Sequence, residues 1–233
     1  MLWRMDANHI ERIELVTGGD AGASPVASIV VLHGLGADGN DFVPIAHELA
    51  LDRVGPVRFV FPHAPLRPVT INGGYEMRAW YDIYPPEPNG QRREDVAGLR
   101  HSQALVQALL EREAERGVPP ARTVLMGFSQ GCAMALLAGV RAPQRLAGIV
   151  GLSGYLPLLG ATAAERSEAN HGVPIFLAHG EQDAVVDASR GEASRDALLA
   201  LDYPVQWRSY AMGHSVCAQE ISDLNRWLLQ VLG

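Results

Sequence analysis

Cysteine, positive charge and long apolar runs are all scarce in this chain, and each shortage removes a class of protein. Two cysteines, Cys132 and Cys217, in 233 residues are too few for a disulfide framework. Nineteen Lys and Arg against 26 Asp and Glu give a net charge of −7, with no basic stripe for a phosphate backbone; nucleic acid is not expected as a partner. No apolar stretch reaches about 18 residues without Gly, Pro or a charge, so no segment is expected to span a bilayer. The opening "MLWRMDANHIERIELV" carries acids early and has no continuous apolar core, unlike a signal peptide. These absences predict a soluble, cytoplasmic protein. Internal repeats and low-complexity linkers are missing too, which predicts one domain over residues 1–233 with a substantial core.

What is present is alternation. Short apolar or β-branched runs at 10–16, 28–33, 57–62, 123–128, 147–153, 174–179 and 205–210 predict seven strands. The middle runs are almost continuously apolar, as in strands of a parallel sheet covered on both faces. The first alternates and belongs at an edge. Helical patterns occupy 40–51, 94–116, 130–141, 189–201 and 218–231. Strand–helix alternation predicts an α/β fold with a mostly parallel central sheet flanked by helices. Residues 63–92 break the rhythm with five prolines, three glycines and a Trp–Tyr cluster, and predict a folded loop over a cleft.

The stretch "VLMGFSQGCAM" (124–134) holds Gly127-x-Ser129-x-Gly131 between a predicted strand and a predicted helix. A strand that reverses sharply into a helix crowds its turn, and glycines two residues before and after relieve the clash. The turn would leave the Ser129 hydroxyl exposed at a helix N-terminus, where free N–H groups favour a developing oxyanion. A helix-capping role explains the serine but not the flanking glycines.

A serine nucleophile needs a base and an orienting acid on later loops. His214, after the last strand in "AMGHSVCAQE", is the candidate base; His171 lies before a strand, and His179 ends the strand that would present the acid. In "LAHGEQDAVVD", Asp183 is the preferred acid, beside the apolar Ala184, Val185 and Val186. Glu181 is the alternative, and Asp187 suits the cap of the next helix. The expected oxyanion donors are the backbone N–H groups of Gln130 and Leu35.

"VVLHGLGADGND" also matches a dinucleotide fingerprint at Gly34, Gly36 and Gly39. Such a site needs an acid near the end of the next strand, and no Asp or Glu occurs between Asp52 and Glu76. The loop is expected to serve the oxyanion instead, with His33 as a hydrogen-bonded structural residue.

These residues, together with "LHGLGADGNDF", "FPHAPLRPVTINGGYEMRAWYD", "REDVAGL", "GFSQGCAMAL", "LAGIVGLSGYLP", "HGEQDAVV" and "YAMGHSV", resemble the phospholipase/carboxylesterase family of α/β-hydrolases, and the "TINGGYEMRAWYD" stretch is similar to its bacterial carboxylesterases. The resemblance implies a compact hydrolase without a large cap domain, metal or cofactor, with Ser129, Asp183 and His214 as the triad. It implies hydrolysis of short- to medium-chain carboxylic esters, with acyl-protein thioesterase or lysophospholipase activity as the alternative, a lipid-like acyl ester as substrate, and the possibility of a homodimer. A non-catalytic binding protein of the same fold is a more distant alternative. Ile71, Met77, Trp80, Tyr81 and Val186 are candidate acyl contacts. Cys132 departs from the family, which usually has glycine there; both cysteines are expected as buried, reduced thiols.

Overall fold

The computed structural model describes residues 10–20, 22–88, 90 and 92–233. The reading of the N-terminus as lacking a signal peptide falls largely on residues 1–9, outside the described residues, as does part of the predicted 1–233 domain. In chain order the strands are β1 (Arg12–Thr17), β2 (Ala27–Leu32), β3 (Val57–Pro62), β4 (Leu66–Val69), β5 (Tyr75–Arg78), β6 (Thr123–Phe128), β7 (Gly148–Leu152), β8 (Ile175–Gly180) and β9 (Val205–Tyr210). Seven make one sheet in the order β1-β3-β2-β6-β7-β8-β9, and β4 and β5 pair separately. Within the seven-stranded sheet only β1 runs antiparallel to its neighbour, at the edge predicted for it.

The helices are α1 (Ile45–Glu48), α2 (Val96–Glu115), α3 (Gln130–Gly139), α4 (Leu159–Glu165), α5 (Ala188–Ala200) and α6 (Ala218–Leu232). The strand period of two divides the core. Val30 and Leu32 face a layer with α2 and α3, while Ile29 and Val31 face a layer with Phe59, Phe61 and α6. Burial on both faces explains why β2, β3 and β6 read as nearly continuous apolar runs; the exception in β3, Arg58, is buried against Glu113 at 2.8 Å.

Two expectations need correction. The helix predicted over 40–51 is a 3₁₀ turn (Gly39–Phe42) followed by the single turn α1. Pro44, which has no N–H to donate, separates them. The cap of that turn is Asp38, whose carboxylate accepts from the Asn40 backbone amide at 2.7 Å. Residues 63–92 contain the β4–β5 hairpin, so the segment is less irregular than its composition suggested. Pro68 is tolerated in β4 because a two-stranded ribbon is all edge.

The chain leaves β2 for β3 on one side and later returns to β2's other side with β6. That reversal opens a crevice beyond the carboxyl ends of β2 and β6, where open α/β sheets bind ligands. The loop after β2 carries Leu35, and the turn after β6 carries Ser129.

Candidate active site

Ser129 sits between β6 and α3 with φ 55° and ψ −117°, a conformation that side-chain-bearing residues rarely adopt. Its own N–H is held by the Leu152 carbonyl at 2.9 Å. The flanking glycine accounts for the crowding: a Cβ on Gly127 would lie 2.0 Å from the Gly131 carbonyl oxygen. The Ser129 side chain makes no cap bond to α3, so the helix-capping role does not describe it.

Three side chains from three loops meet in line. His214 Nε2 is 2.9 Å from Ser129 Oγ, and His214 Nδ1 is 2.7 Å from Asp183 Oδ2. Asp183 Oδ1 accepts from the amides of Val185 and Val186 at 2.8 and 2.9 Å, and the carboxylate is fully buried. Burial alone would raise this carboxyl's pKa. The hydrogen bond from His214 and the two amides outweigh it and hold the group below the ordinary aspartate value. Asp183 therefore stays ionised and orders His214 with Nδ1 protonated and Nε2 free to accept. Phe128 packs on the imidazole, ring centroids 4.8 Å apart. The alternatives lie elsewhere: Glu181 accepts from Ser209 Oγ at 3.0 Å, and Asp187 caps α5 through the Ser189 amide at 2.9 Å.

The backbone N–H groups of Leu35 and Gln130 donate to no described residue, and both residues line a cavity beside Ser129. Two such free N–H donors beside a serine hydroxyl are what stabilising a tetrahedral oxyanion requires. Gln130 does a second thing. Its buried amide accepts from the Trp80 N–H and donates to the Tyr81 carbonyl, both at 2.7 Å. Trp80 Nε1–H donates to the His33 carbonyl at 2.9 Å, Ser102 Oγ–H donates to the Trp80 carbonyl, and the Gly36 amide donates to the Arg78 carbonyl at 2.9 Å. The excursion thus braces the loop after β2 and the turn after β6 together.

His33 is fully buried between the Gly34 carbonyl and the Ala64 amide, and burial lowers its pKa, so it stays neutral. No long helix follows the Gly34–Gly39 loop, so the dinucleotide fingerprint lacks its helix N-terminus.

The cavity encloses about 480 Å³. Of the five candidate acyl contacts, Ile71, Tyr81 and Val186 line it, and Met77 does not. Trp80 is completely buried under the excursion and cannot reach it; it anchors the segment instead. Leu99, Leu156 and Ile83 line the wall and were missed from sequence. Leu99 was visible only as one apolar position in the helical pattern over 94–116. Cys132 lies in the first turn of α3, fully buried, with its thiol pKa pushed up by burial; Cys217 is only half-buried. Among the described residues no group of three or more His, Cys, Asp or Glu side chains is placed to hold a metal ion, and no helix is long and apolar enough to cross a membrane.

A sharp strand–Ser–helix turn, a hydrogen-bonded Ser–His–Asp chain whose members follow in the sequence order Ser129, Asp183, His214, and a mostly parallel sheet define a single-domain α/β-hydrolase. The sequence matches the phospholipase/carboxylesterase family over residues 19–232, and the chain belongs to that family as a serine hydrolase. It is 39% identical over 218 residues to acyl-protein thioesterase 1 of Neurospora crassa, covering 90% of this chain and 89% of the other. The Yarrowia lipolytica acyl-protein thioesterase 1 is 39% identical over 212 residues, covering 89% and 93%. The crystal structure of Zea mays acyl-protein thioesterase 2 superposes with a TM-score of 0.80 at 30% identity, covering 95% of this chain and 99% of that one.

Proposed function

We propose that the protein hydrolyses acyl thioesters, S-acylated proteins among them, through an acyl-enzyme on Ser129. The sequence alone favoured a carboxylesterase for short- to medium-chain esters. Relatives named acyl-protein thioesterase at 34–39% identity favour the thioester reading instead. The observation that carries the chemistry is the Ser129–His214–Asp183 chain, with contacts of 2.9 and 2.7 Å, opening onto an apolar cavity.

In this mechanism His214 Nε2 takes the Ser129 proton as Oγ attacks the acyl carbonyl. The N–H groups of Leu35 and Gln130 hold the oxyanion. Collapse expels the thiolate, which receives the proton from His214. Water, deprotonated by His214, then attacks the acyl-enzyme and releases the carboxylic acid with Ser129 restored. The cavity is lined by Ser129, Leu35 and Gln130 but by neither His214 nor Asp183. This division supports seating the acyl chain in the cavity and the leaving thiol on the open side beside the proton donor. Two free cysteines fit a reducing, cytoplasmic setting.

The test compares matched octanoyl and palmitoyl thioesters and oxygen esters on wild type and Ser129→Ala. The proposal expects kcat/KM to favour the thioester at each chain length and to vanish in the variant. Activity confined to short oxygen esters would return the assignment to a simple carboxylesterase.

A further inference from the structure

Two imidazoles, one on a loop and one on a strand, face the Asp183 carboxylate. His214 Nδ1 meets Oδ2 at 2.7 Å, and His179 Nε2 lies 3.4 Å from the same oxygen. His179 stands near the end of β8 and is 1% exposed. Its Nε2 is 2.8 Å from the Val186 carbonyl oxygen. A carbonyl only accepts, so Nε2 carries the proton and donates it to Val186 O, with Asp183 Oδ2 alongside at 3.4 Å.

The ring is held in that orientation from both sides. Trp207 of β9 stacks on it at 6.3 Å between centroids, tilted by 24°. Gly191 of α5 presses so close that a Cβ there would fall 2.6 Å from His179 Nδ1. The charged and titratable groups near it are Asp183 and, across that carboxylate, His214; Asp187, the N-cap of α5; and Arg195, whose guanidinium lies 5.1 Å from the Trp207 ring centre. His179 thus pins the Val186 end of a short loop to β8. At one end is the acid that orients His214, and at the other is Val186, which lines the cavity.

We propose that His179 is a positioning residue for hydrolysis: its Nε2–H, donated to Val186 O beside Asp183 Oδ2, fixes the loop from Asp183 to Val186 and so keeps the carboxylate aimed at His214 Nδ1. The proposal rests on the triad reading above. Without that donor the Val186 carbonyl is buried without its partner, and the loop gains freedom to turn Asp183 away. His214 would then lose part of the support for its imidazolium.

Three substitutions separate this from packing alone. His179→Phe keeps the ring volume and the stack on Trp207 but has no N–H. His179→Gln places an amide N–H near the Nε2 position without a ring. His179→Asn has the same amide one atom short of that reach, and serves if the Phe variant does not fold. The Phe and Asn variants are expected to lose between about tenfold and hundredfold in kcat with KM unchanged. The acid limb of their kcat/KM profile moves to lower pH, because His214 becomes less basic. His179→Gln is expected to restore both. Folded Phe and Asn variants with wild-type kcat and acid limb would overturn the proposal, as would a Gln variant as impaired as they are. Asp183→Asn measured alongside keeps the two readings apart: if it too leaves kcat unchanged, the triad itself is wrong.

Discussion

Gly131 and Leu32 touch backbone to backbone: a Cβ on Gly131 would stand 2.0 Å from the Leu32 carbonyl oxygen. The first turn of α3 is thereby pressed onto the end of β2, and the nucleophile turn lies beside the loop that carries Leu35. Neither backbone can yield without moving a strand of the buried sheet. Gly131→Ala should therefore cost about 3 kcal/mol or more in urea denaturation and take the activity with it. An alanine variant of unchanged stability would show that the close packing is not required.

Asp183 is acceptor-only, and its removal changes a tautomer rather than a shape. Asp183→Asn presents an amide to His214 Nδ1 and favours the tautomer that cannot accept from Ser129 at Nε2. The expected loss in kcat is about 10⁴ with little change in KM. The same group contributes to acid stability. Its folded-state pKa lies below that of an ordinary aspartate, so its contribution is present above the unfolded value and fades as pH falls through the folded one. Acid denaturation followed by circular dichroism should be less steep below pH 4 in the Asn variant.

Gln130 joins the nucleophile turn to the Trp80–Tyr81 segment through both ends of its side-chain amide. Gln130→Leu keeps the backbone N–H of residue 130 but unties the excursion that holds Gly36, and with it Leu35. The predicted result is a fall in kcat of about tenfold to hundredfold, larger than any change in KM, measured on one acyl thioester.

Glu220, in the first turn of α6, is fully buried, and among the described residues no group meets either carboxyl oxygen in good hydrogen-bond geometry. Burial raises its pKa from 4.5 to about 7, and the nearby Cys217 amide offsets only part of this. The folded state holds this proton to higher pH than the unfolded chain does. Stability from this group is present below the unfolded value and is lost as pH rises through about 7, by about 3 kcal/mol in all. Relative to wild type, Glu220→Gln should gain stability by about that amount between pH 4 and pH 8.5 in urea titrations. A difference that does not change with pH would contradict the shifted carboxyl.

Much of this was legible in the sequence because it lies in the strands of the central sheet. Every residue of β6 and β9 was bounded correctly, since a continuous apolar or β-rich run ends where the chain turns. Ser129, Asp183 and His214 could be chosen because each follows a strand end. The hairpin of β4 and β5 was hidden by Pro68, and α4 by its brevity and lack of a capping side chain. Trp80 looked like a pocket residue because aromatic type does not reveal which face is turned inward. Leu156 and Ile83 meet at the cavity only through the tertiary fold, and no local period announces that.

The most direct test of the account is to catch the acyl-enzyme. Wild-type protein mixed with a palmitoyl thioester and quenched in acid within milliseconds should yield one peptide heavier by a palmitoyl group, the modification mapping to Ser129 by mass spectrometry. The free thiol should appear in a burst matching the enzyme concentration if deacylation is the slower step. Acylation at Cys132, Cys217 or any residue other than Ser129, or hydrolysis that persists in a folded Ser129→Ala protein, would contradict the mechanism.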